Sequence, residues 1–167
     1  MHRFDIDYFN ASFTGSGDEV PVTITYTPPG SDQIVQAHKN LLGKALSHWS
    51  QLAHEYGMKP WLVYLPCKHR VLHGKLRYSD SADRKLTQWQ PTDLPSLVKS
   101  LAEASGFDFI DVLPALVSEA KKGNLTYNTI ADTHLNRKGS MVVAREIARA
   151  LVESDPTIRH QKPGTKW

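Results

Sequence analysis

The sequence predicts an α/β fold in which helices cover a mainly parallel sheet. Two short apolar runs, at residues 61–65 and 107–112, each follow a segment with helical periodicity. Short apolar runs bounded by glycine or proline are typical of buried parallel strands, and their alternation with helices favours a parallel sheet. A chain of 167 residues suits one such domain. Because a doubly wound sheet usually has about five strands, we expect an incomplete sheet, or one completed by another copy or a further segment of chain.

The first long helix is expected over residues 33–56. Ser31 or Asp32 is its expected N-cap, and Gly57 is the expected stop. Apolar residues recur at three- and four-residue steps along it and are expected to face the core: Ile34, Leu41, Leu42, Ala45, Trp49, Leu52 and Tyr56. Four aromatic side chains are interpreted as core residues: Trp49, Tyr56, Trp61 and Tyr64.

Three more helices are expected in the second half of the chain. They span residues 92–105, residues 114–122 and a last segment that begins after Asn136, a residue type that commonly caps helices. The inward-facing residues predicted for the last helix are Met141, Ala144, Ile147, Ala148 and Leu151.

The remaining segments define the expected domain boundaries. Residues 1–30 are poorly patterned, apart from an alternation over residues 20–26 that indicates a strand with one exposed face. Residues 67–91 are basic and polar and are predicted to form a long loop, with room for a helical turn. Residues 154–167 form a polar tail, so the α/β domain is expected over residues 31–153.

Composition excludes several classes of function. A net charge of +3 without a long basic run does not favour nucleic-acid binding. No apolar stretch approaches the ~20 residues of a membrane span, and no signal peptide is visible, so a cytoplasmic location is the default expectation.

The single cysteine, Cys67, is expected to be a half-buried structural thiol. A thiol nucleophile activated by His69 or His73 is the weaker alternative.

The strongest chemical signal is a carboxylate and an imidazole placed two residues apart, Asp132 and His134, just before the last helix. An acyl-transfer site needs a histidine to take a proton from the nucleophile. It also needs a carboxylate to fix the tautomer of that histidine. The structural alternative is a turn aspartate beside a loop histidine that bonds a backbone carbonyl.

The block Asp132-Thr133-His134-Leu135-Asn136, followed by Gly139 and a helix, resembles the last block of the SGNH/GDSL hydrolase superfamily. It is also similar to the Asp-Thr-His block of the related sugar O-acetyltransferases. Residues 62–71 and 109–116 resemble further segments of these proteins, so the resemblance extends over about residues 41–152. It implies a three-layer, flavodoxin-like α/β/α fold and a Ser–His–Asp site. In that site His134 is the general base, Asp132 orients it, and the substrate is a carbohydrate or small ester.

The sequence departs from the family pattern at the nucleophile. It contains no Gly-Asp-Ser block and no Gly-x-Asn-Asp block for an oxyanion hole. Ser16, in a glycine-flanked loop, is the candidate nucleophile, and a solvated loop serine is the alternative. Two functions therefore stay open: an ester hydrolase or O-acyl (acetyl) transferase, or a non-catalytic, truncated or degenerate domain that binds a ligand or partner.

Other residues carry weaker hypotheses. Lys68, with His69 and Arg70, is a candidate contact for an anionic substrate group, against a solvated basic loop. Trp89 is a candidate platform for a sugar ring, against simple packing. His69 and His73 have a spacing that suits a metal ligand pair, but no third ligand lies at a helpful spacing. We therefore predict no metal site and no cofactor.

Overall fold

The computed structural model describes residues 9–15, 17–130 and 132–155. The elements in chain order are β1 (Ala11–Thr14), β2 (Glu19–Val22), α1 (Gln36–Glu55), β3 (Trp61–Tyr64), α2 (Lys68–Leu72), β4 (Leu76–Tyr78), α3 (Arg84–Thr87), α4 (Leu94–Ala104), β5 (Asp108–Asp111), α5 (Leu113–Lys121) and α6 (Arg137–Ser154). This mixture confirms the predicted α/β class. Within these ranges, no helix has the length and apolar character that crossing a membrane requires.

The two predicted parallel strands are neighbours. β3 and β5 pair in parallel, with Leu62 opposite Phe109 and Val63 opposite Ile110. Helix α4 packs against both strands, and α1 packs against α4. The central strand-pairing prediction is therefore confirmed, while the full three-layer arrangement stays a prediction.

A second, antiparallel sheet was not predicted. Its strand order is β2-β1-β4, with Phe13 of β1 opposite Val20 on one side and Leu76 on the other. The alternation over residues 20–26 indicated β2, although that strand ends at Val22. Strands β1 and β4, of four and three residues, lie in segments without the apolar run or the longer alternation that indicates a strand.

One hydrophobic core joins the two sheets. Phe13 and Val22 pack in the same buried cluster as Val112 and Leu116, which follow β5. Burying a side chain of this size contributes about 1.5–3 kcal/mol of transfer free energy. The described part of the poorly patterned segment 1–30 thus helps to build the core.

The basic segment 67–91 is not one long solvated loop. It contains α2, β4 and α3, and the side chains of Lys68, His69 and Arg70 are 4%, 1% and 5% exposed. The Arg70 guanidinium donates to the backbone oxygen of Thr92 at 2.8 Å. Buried basic groups need such partners, and a partner distant in the chain leaves no mark on the local sequence. Cys67 is half-buried, as expected.

Helix α1 buries a different face from the one predicted. Its buried residues are Leu46, Ser50 and Ala53, whereas Trp49 and Tyr56 are 65% and 76% exposed. The exposed residues that were predicted to be core are Leu41, Leu42, Ala45, Trp49 and Tyr56. The side of α1 that faces α4 carries the small residues Ser50 and Ala53, which let the two segments approach closely. A Cβ on Gly106, in the connection between α4 and β5, would lie 2.8 Å from Ser50 Oγ.

The ends of α1 and the inner face of α6 also required correction. Val35 is the N-cap residue of α1, whereas Ser31 and Asp32 lie in a separate 3-10 turn that spans Ser31–Gln33. The backbone nitrogen of Ser31 donates to Asp93 at 2.9 Å. Gly57 does terminate α1, with a φ of +64° that favours glycine. On α6 the buried residues are Gly139 and Val142. Three residues predicted to face inward are exposed: Met141, Ala144 and Ala148.

Candidate active site

The structure brings Asp132 and His134 into direct contact. His134 Nδ1 lies 2.6 Å from Asp132 Oδ1, and the backbone nitrogen of His134 donates to the same oxygen at 2.8 Å. Asn128 Nδ2 donates to the other carboxylate oxygen at 2.7 Å. An ionised carboxylate only accepts hydrogen bonds, so the contact places a proton on Nδ1 of His134. In the neutral ring, Nε2 then carries the free lone pair.

The ring of His134 is open to solvent. Its side chain is 87% exposed, and no group in the described ranges bonds its Nε2. A general base requires a ring nitrogen with a free lone pair. It also requires a carboxylate that holds the ring from its other nitrogen, and the structure shows both features.

Hydrogen bonding keeps the Asp132 carboxyl acidic. The backbone N–H of His134, its ring and the Asn128 amide hold the pKa of Asp132 below its ordinary value of 3.8. The carboxyl group is therefore ionised at neutral pH. It remains available to stabilise a positive charge on the histidine ring.

A narrow loop, which we call the Asp-His loop (residues 128–130 and 132–134), carries the pair. Its base is closed by a bridge between Tyr127 and Leu135 and by a bond from the backbone nitrogen of Asn128 to the His134 oxygen at 3.1 Å. The Tyr127 hydroxyl donates to the backbone oxygen of Pro66, two residues beyond the end of β3. The pair thus lies beside the C-terminal end of a parallel strand, where open α/β sheets place their sites.

Asn136 caps α6, as the sequence predicted, and also ties the helix to the preceding segment. Its Oδ1 accepts from the backbone nitrogen of Gly139 at 3.0 Å. Its Nδ2 donates to the backbone oxygens of Leu125 and Tyr127 at 2.9 and 3.1 Å. One side chain therefore anchors both the helix and the base of the Asp-His loop.

Replacing Asn136 with alanine is expected to lower the free energy of unfolding by about 2 kcal/mol, because the cap and two amide bonds are lost together. Asn136→Ser is the matched control. Serine caps a helix well but cannot supply the two amide bonds, so we expect roughly half the loss. Urea denaturation measures both variants. A serine variant as stable as the wild type would show that the amide bonds contribute nothing.

Lys68, which was proposed to bind substrate, makes its hydrogen bond within the protein. Lys68 Nζ donates to the backbone oxygen of Thr23 at 3.1 Å. Burial lowers the pKa of Lys68, while the charge of Asp132 acts in the opposite direction. The interpretation of residues 68–70 as a solvated basic loop is wrong, and contact between Lys68 and a substrate stays a prediction.

Trp89 is half-buried and packs against its neighbours. Its Nε1 donates to the backbone oxygen of Pro28 at 3.0 Å. The ring centroid lies 4.6 Å from that of His69 and 5.6 Å from that of His73, and the Arg70 guanidinium lies 5.4 Å from it. These contacts are those of the packing alternative. Stacking of Trp89 on a sugar is not tested by them and stays a prediction.

The thiol and metal alternatives find no support in the geometry. Burial raises the pKa of Cys67, the opposite of what a nucleophilic thiol needs. Burial lowers the pKa of His69 to about 4, and its Nε2 lies 2.6 Å from the Tyr78 hydroxyl. Across the described ranges, no three His, Cys, Asp or Glu side chains are grouped to hold a metal ion.

The candidate nucleophile Ser16 lies outside the described residues. Sequence reasoning missed Asn128, which fixes the second oxygen of Asp132, and Thr23, which bonds both Lys68 and the Asp-His loop. Neither residue carries a local signal, because an asparagine or threonine in an irregular segment is typical of any turn.

The α/β fold is that of an SGNH hydrolase-like domain. A model of the ALGX family, the SGNH hydrolase-like domain of acetyltransferase AlgX, matches residues 24–166. The match covers most of the chain, so the protein belongs to this family and the resemblance drawn from its sequence is confirmed. No curated protein and no solved structure matches the chain.

Proposed function

We propose that Asp132 and His134 form the acid–base part of an acyl-transfer site that acts on an ester of a carbohydrate or small molecule. The observation that carries this proposal is the 2.6 Å contact between the carboxylate and Nδ1, which leaves Nε2 open. The family is that of an acetyltransferase domain, which supports acetyl as the transferred group.

The proposed chemistry has two steps. A hydroxyl group at Nε2 of His134 loses its proton to the ring and attacks the ester carbonyl, while Asp132 stabilises the imidazolium that forms. The ring then returns the proton to the departing alcohol, which leaves an acyl-enzyme. In the second step, water or a sugar hydroxyl repeats the attack on this ester, giving hydrolysis or transfer. Ser16 remains the candidate for the hydroxyl.

The alternative is a non-catalytic domain that binds a ligand or partner. The observation that favours it is the open Nε2, since no hydroxyl side chain of the described residues bonds it. Without a nucleophile, an Asp–His pair supplies almost none of the catalysis of a triad, because the members act as a unit. A Gly-Asp-Ser block encoded beside this reading frame would favour the enzyme.

The isolated chain is expected to show weak or no turnover of an acetyl ester. His134→Ala and the surface control His38→Ala are to be assayed beside the wild type. Turnover that is robust and falls by about 100-fold or more only in His134→Ala would show that a nucleophile lies within the chain. Ser16→Ala then tests whether Ser16 is that nucleophile. Measurable turnover that is equal in the wild type and His134→Ala would contradict the catalytic role of the histidine.

A further inference from the structure

A buried lysine lies against the Asp-His loop. Lys68 is 4% exposed, although lysine is almost never buried without a partner. It begins α2, four residues beyond the end of β3. Its Nζ donates to the backbone oxygen of Thr23 at 3.1 Å.

Thr23 connects this lysine to the loop. The backbone nitrogen of Thr23 donates to the backbone oxygen of Thr129 at 3.0 Å. Lys68 and Thr133, which stands between Asp132 and His134, also line the same small cavity. The chain of contacts therefore runs from Lys68 through Thr23 to one end of the loop, and from Lys68 across the cavity to the other.

The cavity is too small for a substrate. Its volume is about 10 Å³, which is at the lower limit for a single water molecule. The position of Lys68 therefore favours a structural action on the loop over contact with a substrate.

The charge of Lys68 is not what lowers the pKa of Asp132. The low pKa of Asp132 arises chiefly from hydrogen bonds donated by His134 and Asn128. The Lys68 ammonium is not needed to explain it. A buried and hydrogen-bonded ammonium, however, restrains any backbone segment that it bonds, because freeing it would leave a desolvated charge unpaired.

We propose that Lys68 is a positioning residue: it fixes the backbone of Thr23, which bonds the Asp-His loop at Thr129, so that Asp132 meets Nδ1 of His134. This inference rests on the proposed function of the pair. The hydrogen bond of Lys68 goes to Thr23 and not to Asp132 or His134, so the lysine acts on the pair through the backbone.

The first test uses the wild-type protein. NMR of ¹⁵N-labelled protein reports the Nδ1–H proton of His134 and the ammonium signal of Lys68. We expect a downfield Nδ1–H signal and slow hydrogen exchange at Lys68, compared with fast exchange at the exposed Lys121. Hydrogen exchange at Lys68 as fast as at Lys121 would show that the ammonium does not hold Thr23, and would overturn the inference. Absence of the Nδ1–H signal would instead overturn the proposed function, so the two failures are distinguishable.

The second test uses variants. Lys68→Met removes the donor and is expected to abolish most of the Nδ1–H signal and to speed amide exchange in the Asp-His loop about 10-fold or more. Lys68→Arg, which retains a charged donor, should preserve both, and Lys121→Met is the control for loss of a lysine. A wild-type signal in Lys68→Met refutes the inference. If Lys68→Met does not fold, Thr23→Pro decides, since it removes the N–H that donates to Thr129 and keeps the backbone oxygen that accepts from Lys68. An unchanged signal there also refutes the inference.

Discussion

Replacing Gly139 with alanine is expected to cost about 3 kcal/mol or more of unfolding free energy. Gly139 lies in the first turn of α6, and its Cβ would stand 2.1 Å from the backbone oxygen of Thr126 and 2.9 Å from Leu135 Cδ2. The Thr126 oxygen cannot retreat freely, because it accepts from the backbone nitrogen of Asn136 at 3.1 Å. The helix must therefore move away from the base of the Asp-His loop.

A matched control exists in α1. A Cβ on Gly43 would meet nothing within 4 Å, so Gly43→Ala is expected to stabilise the protein by about 0.5–1 kcal/mol through the higher helix propensity of alanine. Urea denaturation of both variants measures the change in the free energy of unfolding, which is expected to be negative for Gly139→Ala and positive for Gly43→Ala. A Gly139→Ala variant within about 0.5 kcal/mol of the wild type would show that the start of α6 does not pack against Thr126 as described.

Asp132→Asn is expected to change the tautomer of His134 almost completely. The carboxylate holds the proton on Nδ1, whereas an amide can turn its NH₂ group toward that nitrogen, leaving the proton on Nε2. In a complete Ser–His–Asp site, the wrong tautomer costs about 10⁴-fold in turnover. Imidazole ¹⁵N shifts at neutral pH distinguish the two tautomers directly, and Asp80→Asn is a control for loss of an exposed loop carboxylate. Identical shifts in the wild type and Asp132→Asn would show that the pair is not coupled.

The pH dependence of this contact follows from the low pKa of Asp132. A carboxyl whose pKa is lower in the folded state contributes stability that is present above its ordinary value of 3.8 and is lost as the pH falls through the folded-state value. The downfield Nδ1–H signal should therefore persist as the pH is lowered to 3.8 and disappear only below it. Loss of the signal well above this pH would contradict the hydrogen bonds assigned to Asp132.

The sequence alone determined the features that have a local pattern. The apolar runs of β3 and β5, the long periodic helices and the cap at Asn136 each depend on neighbouring residues, and each is present. The Asp-Thr-His block also identified the family, because its residue types and spacing are tied to one chemistry. The two-residue spacing made contact between Asp132 and His134 feasible, and the structure shows that contact.

The tertiary structure alone decided the features that depend on residues far apart in the chain. Strands β1 and β4 exist because their backbones pair across more than 60 residues. The buried face of α1 is the one that α4 meets, although Trp49 and Tyr56 offered a more apolar stripe. Lys68 is buried because the Thr23 oxygen lies beside it. Burial of a charge and the choice of a helix face are set by the free energy of contact with a distant partner, which no local pattern contains.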